Sequence, residues 1–412
     1  MNGPKTARKW ATLTENEAMT PRERFRKSMD FKKLDMIPWC EHFYDETLTK
    51  FFSEGLPAHE ITVMDWALSL EGAGLFNWPK FTAFDPFSYF GSINFWGCQV
   101  PVDLGPIPRF KQRKMGEDAR YEEYVMQTGA KARRFKKAAV ERYTMGYTMP
   151  LFYEFPVKDQ KTWEQYKERL NPNDQRRYPK DWETDGYVQV LDEYQSGPTT
   201  IAITGFYGFG AELMGIRNFN LAFYKDPELI TEMISHWEYF TIETLREVVE
   251  TLKDRIDVVF WWEDMAEKHG PNISPRLYKE FLLPHYKRVT GFLNRNRIRR
   301  IMMDSDGNTM PILDLVVEAG ITGHWPLEVN SGMDVRILRR RYGDKLFLAG
   351  NFDKREITKG GESMRKEIDS KLPLMKETGG YIAGLDHVVP ADFTLERFRE
   401  YVDYLKSKLA IP

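Results

Sequence analysis

The hydrophobic rhythm of the chain changes near residue 195. From there short apolar runs recur at 199–205 (TTIAITG), 257–262 (DVVFWW), 298–303 (IRRIMM), 321–327 (ITGHWPL), 346–350 (LFLAG) and 380–385 (GYIAGL). Each has the length of a strand buried on both faces. Most are followed by stretches with helical period, such as PELITEMISHWEYFTIETLREVVETL and TLERFREYVDYLKSKL. Strands and helices alternating through short loops predict a parallel sheet covered by helices. DMIPWC at 35–40 adds a short buried strand, interrupted by Pro38. With one more strand that the pattern does not locate, the count approaches the eight of a closed α/β barrel.

The first half of the chain is less regular. Residues 1–19 are polar and patternless and read as an arm, leaving 20–412 as a single domain. Thr20, Pro21 and Glu23 predict a helix start with a capping box. Residues 75–110 are rich in Gly, Pro and aromatics, without a sustained period; this insertion is either a lid or a packed loop. YEEYVMQTGAKARRFKKA then predicts a hairpin turning at Thr128-Gly129.

Composition narrows the function classes. The chain has 412 residues, 42% hydrophobic and 29% charged, as expected of a soluble enzyme with a sizeable core. A formal net charge of −2 gives no reason to expect nucleic acid or an anionic membrane as partner. The basic run KARRFKKAAVER at 131–142 reads as a solvated strand edge. Cys40 and Cys98 are too few for a disulfide framework, and no eighteen-residue apolar run or secretory segment is present. A reduced, cytoplasmic protein is expected.

The strand ends carry the candidate chemistry. Glu263-Asp264, Asp304-Ser305-Asp306, His324 with Glu328, Asn351 with Asp353, and Asp386-His387 each follow an apolar run. In a barrel these ends share one face, so their side chains converge on one pocket. Carboxylates gathered there raise each other's pKa or bind a cation. For each residue a plainer role competes. Asp304 and Asp306 could cap the next helix, and Glu263 could form a rim salt bridge. His387 could orient a neighbour through a hydrogen bond, and His324 could simply fill space. Asn351 and Asp353 could hold a loop turn. Trp261, Trp262 and Trp325 could belong to the core rather than line a flat pocket.

Several blocks resemble the uroporphyrinogen decarboxylase superfamily: TPRERFRKSMDFKKLDMIPW, SPRLYKEFLLPHYKRV, DSDGNTMPILDLVVEAGITGHWPLEV, LAGNFDKREI and GGYIAGLDHVVPADFTLERFREYV. FYEFPVKDQKTWEQYKERL and GFYGFGAELMGIRNFNLAFYKDPELITEMI fit the same pattern, in family order. The resemblance implies a (β/α)8 TIM barrel, with an N-terminal extension, the aromatic insertion and the hairpin added. True decarboxylases of this kind carry an arginine-rich segment near the first strand. This chain has DMIPWCEHFYDETL there, and acids would repel a polyanionic substrate.

The other branch moves methyl groups to or from a corrinoid on a partner protein. Many members hold zinc through His-x-Cys-Gly and a later cysteine. The first element falls on DSDGN, where Asp304 and Asp306 stand in place of His and Cys; the later one falls near Asp386-His387. Oxygen-rich donors suit a harder substrate than a thiol, in particular an aryl methyl ether. The resemblance therefore implies transfer of a methyl group from a small O-methyl donor to the cob(I)alamin of a separate corrinoid-binding protein. Asp306, His324 and Glu263 are expected to act in catalysis. Trp261, Trp325, Asn351, Asp353 and Glu328 are expected to bind substrate. Asp304, Asp306, Glu263 and His387 are expected to hold zinc. A homodimer is left open. The alternatives are transfer from a methylcorrinoid to tetrahydrofolate, and a decarboxylase or tetrapyrrole-binding barrel.

Overall fold

The computed structural model describes residues 19–56, 86–136 and 150–411. The polar arm, the first part of the aromatic insertion and the end of the basic run lie outside the described residues. In chain order the first strands are β1 (Cys98–Gln99), β2 (Arg113–Glu117), β3 (Tyr121–Val125), β4 (Lys131–Phe135), β5 (Leu151–Glu154) and β6 (Thr199–Thr204). They are followed by β7 (Val258–Trp262), β8 (Ala266–Glu267), β9 (Gly270–Pro271), β10 (Ile301–Asp304), β11 (Gly323–Trp325), β12 (Phe347–Ala349) and β13 (Tyr381–Ile382).

A seven-stranded parallel sheet runs in the order β1-β6-β7-β10-β11-β12-β13. The expected first strand fills the eighth place as an extended segment. Cys40 N–H donates to the Ala383 carbonyl at 3.0 Å, and Ala383 N–H donates to the Pro38 carbonyl at 2.9 Å. On its other side Ile93 N–H donates to the Trp39 carbonyl at 3.0 Å, which closes the ring. The strand the sequence pattern did not locate is β1. It is short and sits inside the aromatic insertion, so no period marks it. The fold is the TIM barrel that the strand–helix alternation predicted.

Both faces of these strands are covered, which is why their sequences run apolar without alternation. Val259, Trp261, Ile301, Met303 and Leu348 belong to the core under the outer helices. Val258, Phe260, Met302, Trp325, Phe347 and Ile382 form a second cluster, with Cys40, Phe25 and Phe95, inside the barrel. Strand parity follows from these two sets. Asp304 shares the inward face of Met302, and His324, next to Trp325, faces outward.

The predicted hairpin is β3–β4, paired Tyr121↔Phe135 through Val125↔Lys131 in a four-stranded antiparallel sheet, β2-β3-β4-β5. Its basic residues are matched across strands: Arg133 with Glu123, Arg134 with Glu122 and Lys131 with Glu154. The first helix, Pro21–Met29, begins with the predicted capping box of Thr20 and Glu23. It is pinned under the barrel by Arg22, whose Nε donates to Asp257 Oδ2 at 2.7 Å.

Candidate functional site at the barrel mouth

The loop after β10 is laced to its neighbours before any site chemistry is considered. Gly307 has φ +79°, and a Cβ there would lie 2.5 Å from the Ala266 carbonyl oxygen, so only glycine fits. Its N–H donates to Glu328 Oε2 at 3.1 Å, and Asn308 N–H donates to the Glu267 carbonyl at 2.9 Å. Ser305 Oγ accepts from Met265 N–H at 3.1 Å. These bonds fix Asp304 and Asp306 relative to the end of β7.

Asp304, Asp306 and His387 come together at this mouth. His387 Nε2 lies 3.2 Å from Asp306 Oδ2, and its Nδ1 is 3.4 Å from the Tyr44 hydroxyl. Burial works against a charged His387, but the hydrogen bond and charge of Asp306 outweigh it and raise the imidazole pKa above its ordinary value. Asp304 is 7% exposed, and its carboxyl has no hydrogen-bond partner among the described residues. Burial, then the neighbouring charges of Asp264 and Asp306, push it well above the usual carboxylate range. Asp264 is the third acid. It has φ +43°, a backbone conformation that a non-glycine residue rarely adopts. Burial, then Asp306, raise its pKa to about 7.

Trp325 joins these acids to a group of rings. It stacks on His387 at 6.5 Å between centroids and meets Trp96 at 5.5 Å and Phe95 at 5.9 Å. Glu328 stands behind the β10 loop, near Lys354 at 3.6 Å. Lys354 also lies 3.5 Å from Asp386, whose buried carboxylate accepts the Val329 and Lys354 backbone N–H groups.

Other residues picked out by the strand ends are turned to different tasks. Glu263 is 1% exposed and accepts the Tyr207 and Gly208 N–H groups at 3.0 and 3.1 Å, at the start of the helix Phe206–Met214. Gly205 makes room for it: a Cβ at Gly205 would sit on the carboxyl. Burial, opposed by these backbone bonds, raises Glu263 to about 8. His324 faces outward, with Nε2 2.7 Å from Thr309 Oγ1, and burial lowers it to about 4. Trp261 packs against Phe206 and Tyr286 in the outer core. Asn351 bonds the Val335 N–H and the Leu327 and Met333 carbonyls. Asp353 caps the helix Lys354–Lys359 and pairs with Arg355.

The zinc expectation can be tested on this donor set. Among the described residues no group of three or more His, Cys, Asp or Glu side chains stands at metal-holding spacing. Glu263 is committed to a helix N-terminus, so as arranged the expected set does not fit zinc, and no step below is routed through a metal. Sequence reasoning named Asp264 only as a neighbour of Glu263 and Trp96 only among the rings of the aromatic insertion, and it passed over Tyr44 and His42. Parity offered a signal for the last: Cys40 faces inward, so His42 does too.

Among the described residues no helix is long and apolar enough to cross a membrane. A solved methyltransferase from Methanosarcina mazei superposes over 94% of this chain and 99% of its own, with TM-score 0.59 and 14% identity, a likeness of fold. Uroporphyrinogen decarboxylase of Alcanivorax borkumensis is 21% identical over 217 residues, 51% of this chain and 57% of that protein. The enzyme of Pseudoalteromonas atlantica is 26% identical over 141 residues, 32% of this chain and 38% of that protein. The chain thus matches about half the length, or less, of these curated relatives. The sequence profile described as uroporphyrinogen decarboxylase (URO-D) matches residues 194–407, more than half of the chain and every barrel strand from β6 onward. The chain belongs to the uroporphyrinogen decarboxylase (URO-D) family.

Proposed function

We propose that this protein is a methyltransferase that takes a methyl group from an O-methyl donor, in particular an aryl methyl ether, and passes it to a separate corrinoid protein docking over the barrel mouth. The observation that carries this reading is Asp304: a buried, unpartnered carboxyl on the inward face of β10, whose pKa burial and the adjacent acids raise well above the usual carboxylate range. A cob(I)alamin brought by the partner would supply the nucleophile for the methyl carbon. As the carbon–oxygen bond breaks, its electron pair stays on the ether oxygen, and a phenolate must be protonated or stabilised. Asp304 and Asp264 would supply that proton. Asp306 and His387 would restore it, with Tyr44 fixing the imidazole. The rings of Trp325 and Trp96 would hold an aromatic donor beside the acids.

A decarboxylating reading has the named relatives in its favour. The mouth opposes it: Asp306, Glu328 and Asp386 stand there, and Lys354 already faces Glu328 at 3.6 Å and Asp386 at 3.5 Å. A substrate carrying many carboxylates would meet like charge, which costs several kcal/mol in comparable settings. The test is a turnover screen of methylated phenols with a cob(I)alamin carrier, with tetrahydrofolate as the competing arm. Methyl transfer from at least one phenol ether is expected. Transfer only from the methylated carrier to tetrahydrofolate would overturn the donor assignment. Metal analysis of chelator-free protein runs alongside; activity without stoichiometric zinc is the expected outcome.

A further inference from the structure

His42 is not used in the chemistry above, and its surroundings are unusual. It follows the extended segment that closes the barrel, and its own carbonyl accepts Val389 N–H at 2.7 Å, beside the His387 loop. The side chain is 7% exposed. Four rings from three segments enclose it: Trp325 at 5.3 Å, Trp96 at 5.4 Å, Phe95 at 5.8 Å and Phe87 at 6.1 Å between centroids. Its one polar side-chain contact is with Cys40, whose Sγ lies 3.8 Å from Nε2. Nδ1 has no partner among the described residues. Burial, and then the nearby His387, lower its pKa to about 3, so the ring is neutral at any working pH.

An apolar ring of the same size would fill this cage without a polar cost. An imidazole nitrogen left without a partner among the described residues, on a side chain otherwise packed in rings, is therefore best explained by a partner that arrives from outside. We propose that His42 is the specificity-determining residue of the donor pocket, reading a hydroxyl on the aromatic ring of the methyl donor. This rests on the aryl-ether reading for the ligand class. A neutral imidazole offers one donor and one acceptor. If the Cys40 thiol donates to Nε2, Nδ1–H is a free donor; if Nε2–H donates to sulfur, Nδ1 is a free acceptor. A phenolic hydroxyl can satisfy either tautomer, whereas a methoxy oxygen can satisfy only the first. The donor class is therefore a methoxyphenol with a free hydroxyl, in preference to a fully methylated ring.

The test compares 2-methoxyphenol with 1,2-dimethoxybenzene in the full chain, read first by binding and then by transfer. His42→Phe keeps the cage filled and removes both nitrogens. We expect 2-methoxyphenol to bind it at least tenfold more weakly than wild type, with 1,2-dimethoxybenzene unchanged. In transfer assays KM for the phenol is expected to rise by the same factor while kcat stays within threefold. His42→Gln, which keeps a hydrogen-bonding amide, should recover part of the preference. The wild type gives a readout independent of any variant folding: an imidazole nitrogen resonance of His42 should move on adding 2-methoxyphenol. Equal binding of the two ligands to wild type, an unmoved resonance, or no binding of either overturns the proposal. Discriminating binding without turnover would leave His42 as the reader of the hydroxyl and sink the transfer reading instead.

Discussion

The two ends of strand β7 bury carboxylates in opposite ways. Below it Asp257 is 1% exposed and fully answered: Arg22 and Arg26 both reach its carboxylate, and Thr199 N–H donates to Oδ2 at 2.7 Å. Above it Asp264 is partly buried, and its neighbours are Asp304 and Asp306, with His387 the nearby cation. The lower acid ties the first helix to the sheet. The upper acids repel one another, so some keep their protons. Burial of charge is thus structural at one end and chemical at the other, and the presence or absence of a guanidinium decides which.

The sharpest way to break this contrast is to neutralise the top. Asp304→Asn should cut methyl transfer at least a hundredfold, in the range expected of a lost general acid, without lowering the melting temperature. Single-turnover assays beside a thermal melt measure both, and activity within threefold of wild type would sink the role given to Asp304. At the bottom the reverse is expected. Arg22→Ala leaves Asp257 with the partly exposed Arg26 and the Thr199 N–H, and should cost about 3 kcal/mol in urea unfolding while turnover per folded molecule persists.

A smaller effect concerns pH. Raised carboxyl pKa values mean that the folded chain keeps protons that the unfolded chain releases above about pH 4. Asp264 and Asp304 therefore contribute less to stability as pH rises from about 4 towards 7, and the Asn variants should flatten that slope. Activity should also fall as pH climbs through about 7, where Asp264 ionises, and Asp264→Asn should remove that limb. A pH–rate profile with no change across that range would contradict the assignment. The smallest effect is expected in the antiparallel sheet, where Arg133 pairs with Glu123 in solvent. Arg133→Ala should leave both the unfolding midpoint and turnover unchanged, since exposed pairs of this kind are weak.

The sequence made the strands from β6 onward legible because both of their faces are buried, which leaves continuous apolar runs. It could not reveal β1, whose two ladder residues carry no period. At the mouth, Asp304, Asp306 and His387 were readable from their places at strand ends. The choice between Glu263 and Asp264 was not. It depends on the space over Gly205, which admits one carboxyl against a helix N-terminus, and on the left-handed turn at Asp264. Neither leaves a trace in residue type alone. Asn351 and Asp353 sit at strand ends as well, but their hydrogen bonds go to backbone and to Arg355, an outcome that only the folded loops determine.

The ring of strands is not equally fastened all the way round. The parallel ladder from β1 to β13 is continuous, whereas Ile93 to Trp39 is the backbone bond that clasps its free edges among the described residues. Mechanically the barrel is a ribbon with a clasp, and the clasp adjoins the ring cage around His42. Opening there would admit solvent to the lumen while the ladder stays whole. The Ile93 amide should therefore exchange its hydrogen well before that of Val259, and a small molecule bound against His42 should slow it.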